Sequence, residues 1–223
     1  NLSAYHTGRC CCPYHIKDCG EKMSNVYLHP LPIRIWHWLN AFIIFVLILT
    51  GLQLRVPSIQ IISNYRAVVL IHKYFGYAMC LSFLFWLIYY LVTGGIKKHY
   101  IIRIRDIKAM PNQIIYYSFN IFKGRKNPFD PSPDNKFNPL QKLAYSSVMF
   151  IFTPIIAFTG VMFSDILMFF SWIEAIGGIR VLDAIHVAAA YIFVFYLLVH
   201  LYMATLGKRF YTHIKAMITG YEQ

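Results

Sequence analysis

Four long apolar runs, at about 35–54, 67–95, 140–166 and 181–206, alternate with polar and charged segments along the chain. Each can cross the ~30 Å hydrocarbon core of a bilayer, which takes about 20 helical residues. Backbone groups in hydrocarbon must find partners within their own segment, so runs of this length predict transmembrane helices. Four in succession predict an all-α, up-down four-helix membrane bundle. The first run follows a polar, Cys-bearing stretch without a small-residue cleavage site, which marks it as a span and not a signal peptide.

Composition strengthens this reading. Of 223 residues, 58% are hydrophobic, 17% aromatic and 13% charged, a balance that excludes a disordered chain and argues against a soluble one. The net charge of +12 raises the question of nucleic acid, and the placement of the charge answers it. Of the 21 Lys and Arg, only Arg55, Arg66, Lys73 and Arg180 fall on one side of the predicted bundle. The rest lie before the first span, between the second and third with Lys142 included, or after the fourth. The positive-inside rule then puts both termini and the long loop 96–139 of this multi-pass protein in the cytoplasm. No nucleic-acid partner is expected; the role of the basic surface is topological, in a chain whose partner is the lipid bilayer. Within the loop, Lys97, Lys98 and His99 and the mixed stretch Ile101–Arg105 suit a membrane surface, and Pro128, Pro131, Pro133 and Pro139 break regular structure before the third span. The expected division is a Cys-rich cytoplasmic segment at 1–27, a membrane domain at 28–215 and a cytoplasmic tail at 216–223.

Histidine carries the candidate chemistry, because an ionisable residue inside a span is costly and therefore a functional candidate. His37 lies near the start of span 1, His72 near the start of span 2, and His186 and His200 lie in span 4. The separation of His186 and His200 amounts to about 21 Å of helical rise and nearly a whole number of turns, so they share one face at opposite depths. Depth alone pairs His37 with His200 on the inner side and His72 with His186 on the outer side. Two imidazoles from facing helices at each of two levels are what two bis-histidine b haems require. Zinc would instead gather three or four ligands at one point. Gly51, Gly76 and Gly160 leave room for a flat ring, or serve close helix packing. Arg34, Arg66 and Arg180 lie near the membrane faces, as propionate partners or as topology signals.

These residues resemble a known family, the dihaem membrane cytochrome b subunits of respiratory formate dehydrogenase, nickel–iron hydrogenase and thiosulfate reductase, related to bacterial cytochrome b561. The resemblance rests on His29–Asn40 leading into span 1, on Ile71–Tyr77, on Asn138–Lys142 before span 3, and on the His186/His200 pair. It implies the same haem pairing. It also implies an iron–sulfur electron-transfer subunit and a catalytic dehydrogenase, hydrogenase or reductase subunit as partners, with a quinone (menaquinone or ubiquinone) meeting the chain near the inner haem. By the resemblance Asn138 and Gln141 line the quinone pocket; as bare residues they equally suit a helix cap.

The family does not account for Cys10, Cys11, Cys12, His15 and Cys19. The spacing of Cys12, His15 and Cys19 is that of metal ligands, and with Cys10 it could hold an iron–sulfur cluster or zinc; reduced thiols in a docking segment are the alternative. Two other functions compete with the anchor subunit: a stand-alone cytochrome b561-like quinone oxidoreductase, and a haem-free transporter whose histidines relay protons.

Overall fold

The computed structural model describes residues 26–129, 136–206 and 211–222. Strand β1 (Val26–Tyr27) precedes α1 (Leu31–Arg55), α2 (Tyr65–Val92), α3 (Gly95–His99), α4 (Ile104–Ile115), α5 (Pro139–Ser147), α6 (Thr153–Ser164), α7 (Phe170–Ala175), α8 (Ile179–Thr205), α9 (Thr212–Thr219) and β2 (Tyr221–Glu222). A π turn at Val148–Phe152 joins α5 and α6 into one continuous third span. Four helices, α1, α2, the α5–α6 unit and α8, are long and apolar enough to cross a membrane. The fold is an all-α membrane bundle, with one two-residue β pairing added at its edge.

The span ends follow local chemistry more than hydropathy. Pro30 and Pro32 start α1 four residues before the apolar run, because proline preorganises a first turn whose N–H groups have no helical partner. Asn64 caps α2, its side chain accepting from the Ala67 N–H at 3.2 Å, and Gly94, in the left-handed region at φ 68°, ends that helix early. Gly177 and Gly178, at φ 107° and 89°, make the reversal that aims α8 back across the bundle.

Helix α1 packs on α2, α2 on α6, and α6 on α8, whereas α8 makes its extended backbone contacts with the third span and not with α1 or α2. Buried residues form three layers: Ile33, Trp86, Tyr90 and Tyr100 at the end holding the described termini, Ile43, Met79, Val148 and Phe193 in the middle, and Met162, Ile173 and Leu182 at the far end. Outward side chains such as Phe42, Leu84, Phe195 and Leu198 are exposed, as a lipid-facing surface requires.

Of the segment expected as a separate tail at 216–223, the described residues 216–222 are part of the packed structure. Helix α9 runs to Thr219 without a break at 215, and β2 pairs antiparallel with β1. The Arg34 guanidinium donates to the Ile218 carbonyl, and Trp38 Nε1 donates to Met217 O at 3.3 Å. The C-terminal carbonyls are thereby tied to the first turns of α1.

Candidate functional site

The four span histidines form two pairs, one at each end of the bundle. His37 and His200 meet at the terminal end with ring centres 6.2 Å apart; His72 and His186 meet at the far end, 6.4 Å apart. Two imidazoles bound through nitrogen to opposite sides of one metal ion, at about 2.0 Å per bond, have ring centres roughly 6 Å apart. Both pairs fit that spacing. Among the described residues no group of three or more His, Cys, Asp or Glu converges on a metal-sized point. The donor set therefore suits bis-histidine haem iron and not tetrahedral zinc. Gly76, one turn beyond His72, borders open space: a Cβ built there meets nothing within 4 Å.

Two functional residues escaped the sequence reading. Thr50 of α1 lies 2.8 Å from His72 Nδ1, and Thr159 of α6 lies 2.8 Å from His186 Nδ1. Each hydroxyl donates its one proton to a carbonyl of its own helix, Thr50 to Val46 O at 2.7 Å and Thr159 to Ile155 O at 2.8 Å. With the hydroxyl proton on that carbonyl the oxygen is left to accept, which suits the tautomer that turns Nδ1–H to threonine and keeps Nε2 free as a metal donor. Each threonine precedes a glycine, Thr50-Gly51 in span 1 and Thr159-Gly160 in span 3, but Thr-Gly also stands at 7–8, 93–94 and 219–220, so the dipeptide alone does not single them out. The glycines complete the seat: a Cβ on Gly51 would stand 3.2 Å from His72 Cε1, and one on Gly160 would stand 3.4 Å from His186 Cε1. Gly51 and Gly160 thus make room for the imidazoles themselves.

The terminal-end pair has a different setting. His37 Nδ1 is buried without a hydrogen-bond partner among the described residues. Its ring meets Trp38 edge-on at 5.2 Å, while His200 stacks on Tyr196 at 5.8 Å and meets Tyr145 at 6.2 Å. Positive charge gathers nearby. His29 is pushed down to about 4, by burial first and then by Lys136, His37, Arg34 and His213, and Arg34 keeps a buried Nε without a partner among the described residues. A carboxylate-bearing group would relieve both conditions. Arg66 and Arg180 stand at the far end, each exposed on the helix turn or two before His72 and His186.

Asn138 and Gln141 come together as a capping box at the start of α5. Asn138 Oδ1 accepts from the Gln141 N–H at 2.8 Å, Gln141 Oε1 accepts from the Asn138 N–H at 3.1 Å, and Asn138 Nδ2 donates to the Tyr117 hydroxyl at 3.0 Å. Asn138 is buried. Beneath the cap, Lys142 Nζ meets Asp106 Oδ2 at 2.9 Å in a buried ion pair. Cys10, Cys12, His15 and Cys19 lie outside the described residues.

The family model of prokaryotic cytochrome b561 matches residues 28–220. The chain belongs to this family. The cytochrome is 30% identical over 214 residues to "Putative cytochrome YdhU" of Escherichia coli (strain K12), covering 92% of this chain and 77% of the relative. It is also 28% identical over 120 residues to the "Probable Ni/Fe-hydrogenase B-type cytochrome subunit" of Rhizobium leguminosarum bv. viciae, covering 48% of this chain and 50% of the relative. A shorter match, 40% identical over 43 residues, links it to the protein of the same name from Rhodobacter capsulatus, covering 18% and 16% of the two chains. The cytochrome is a multi-pass membrane protein of electron transport, and its family implies haem b.

Proposed function

We propose that the chain is the membrane-anchoring, dihaem cytochrome b subunit of a respiratory oxidoreductase in a prokaryotic inner membrane. It carries electrons between an iron–sulfur partner subunit, attached to a catalytic dehydrogenase, hydrogenase or reductase, and the quinone pool. The observation that carries this reading is the pair of two-imidazole sites, 6.2 and 6.4 Å between ring centres, at opposite ends of one bundle. With both termini cytoplasmic, His37 and His200 hold the inner haem and His72 and His186 the outer one.

Bound haem supplies one-electron redox chemistry at each level, and the protein supplies position, ligation and electrostatics. Thr50 and Thr159 hold two of the ligand rings in one tautomer. Arg34, with a buried donor to spare, is the propionate partner at the inner level, and Arg66 and Arg180 are those at the outer level. Ile43, Met79, Val148 and Phe193 fill the core between the levels and exclude water from it. At the inner face, Gln141 is the residue of its motif that meets quinone, through its amide Nε2, because its Oε1 is held by the Asn138 N–H and Asn138 spends its side chain on the cap and on Tyr117. Quinone reduction there takes two electrons and two protons, the protons arriving from the cytoplasm.

The test is a dithionite-reduced minus oxidised spectrum of the purified full-length chain, with haem and total iron assayed per polypeptide. Two b haems per chain are expected, and iron beyond them would place a metal in the N-terminal Cys segment. Folded, membrane-extracted protein that binds no haem would overturn the proposal. Copurification with an iron–sulfur subunit is the second expectation, and full quinone reductase activity of the isolated chain would refute the anchor role.

A further inference from the structure

The two histidine pairs differ in what surrounds their rings. At the far end both Nδ1 atoms bond to buried threonine hydroxyls, each at 2.8 Å. Thr50 is 4% and Thr159 5% exposed. At the terminal end His37 Nδ1 finds no partner among the described residues, and the neighbours of His200 are aromatic rings. A hydrogen bond from Nδ1–H raises the basicity of the ring and strengthens its donation to a metal. Stronger donation favours the oxidised, more highly charged ion and therefore lowers the reduction potential. The dry setting sharpens the effect, since water does not compete for the bond.

We propose that Thr50 and Thr159 are positioning residues that hold the His72–His186 haem at a lower reduction potential than the His37–His200 haem. The inference rests on the ligand assignment made under the proposed function. With Nε2 of each histidine assigned to the metal, Nδ1 carries the proton and each threonine accepts it, its own proton lying on Val46 O or Ile155 O. Both contacts would therefore push the same way on an iron held by His72 and His186. Gly51 and Gly160 make the arrangement possible by letting each imidazole edge come within 3.2–3.4 Å of where a Cβ would stand. An electron entering at the His72–His186 level would then move downhill toward the His37–His200 level, one iron being oxidised as the other is reduced.

The experiment is spectroelectrochemical potentiometry on the full-length detergent-purified chain, following the haem absorption bands. His72→Ala identifies which of the two components belongs to the far-end site. Thr50→Val and Thr159→Val keep the side-chain shape and remove the acceptor, while Thr50→Ser and Thr159→Ser keep the hydroxyl. The component lost in His72→Ala is expected to be the lower one. It should move upward in each valine variant, further in the double variant, and return with serine, while the other component stays in place. Should a valine variant lose its haem, alanine at the same position carries the same test.

Two haems with an unmoved lower component would overturn the inference, as would equal movement of both components or a far-end component that is the higher of the two. Fewer than two haems in the unsubstituted chain would instead bring down the ligand assignment beneath it.

Discussion

Replacing Asp106 by Asn removes one charge from the buried pair with Lys142 and leaves the local backbone intact. Asp106 is 5% and Lys142 1% exposed, and their charged atoms are 2.9 Å apart. Attraction at that distance is about 6 kcal/mol at an effective dielectric constant of 20, and most of it offsets the desolvation of the two ions. Asp106 Oδ2 also accepts from the Arg103 N–H at 2.8 Å, at the start of α4, a role an Asn side chain keeps. Asp106→Asn therefore isolates the stranded Lys142 ammonium and should cost about 3–5 kcal/mol; Asp106→Ala should cost about 1 kcal/mol more, through the lost cap. Lys142→Met strands the carboxylate instead. The double variant Asp106→Asn/Lys142→Met leaves no unpaired charge, so it should be less destabilised than the sum of the singles by roughly 3 kcal/mol. Burial alone would raise the Asp106 carboxyl, but the Arg103 N–H and Lys142 outweigh it and hold the group below its ordinary value. A depressed carboxyl contributes stability that is complete above its unfolded pKa of about 4 and is lost as pH falls through the lower folded value. The Asp106→Asn deficit should thus be full at neutral pH and fade in acid. Thermal unfolding of the purified variants by circular dichroism measures the cycle. Additivity within about 0.5 kcal/mol would refute the coupling.

Haem counting tests the pairing directly: His72→Ala and His186→Ala should each remove one haem, His37→Ala and His200→Ala the other, and loss of the same component from His37→Ala and His72→Ala would overturn the assignment. Gly51→Leu should displace His72 and lower haem content, because even a Cβ there stands 3.2 Å from the ring, whereas Gly160→Ala, at 3.4 Å from His186, should keep both haems; absorption spectra at matched protein concentration decide. Asn138→Ala should cost about 1 kcal/mol through its lost cap while Asn138→Ser restores it, and an Asn138→Ala variant of unchanged melting temperature would show that the cap carries no stability.

Composition and spacing alone determined the membrane class, the number of spans and the depth of each histidine. These are properties of single elements: an apolar run sets a span by its length, and the helical rise sets depth from residue number. The pairing of His37 with His200 and His72 with His186 was legible for that reason, since an up-down bundle converts depth into proximity. The span starts at Pro30 and Asn64 were less visible in hydropathy, because helix ends answer to caps and not to the apolar average.

Only the tertiary structure decided which side chain meets which across helices. Thr50 is 22 residues from His72, and Thr159 is 27 from His186. Nothing in the period of either helix says that these hydroxyls turn toward those nitrogens. The same holds for Asp106 and Lys142, 36 residues apart on different elements. Asp106 lies in the basic loop and Lys142 at the start of the third span, and their partnership shows only when α4 is laid against α5. Periodicity records which face of a helix is buried; the partner on that face depends on rotation and crossing between helices, which only packing sets.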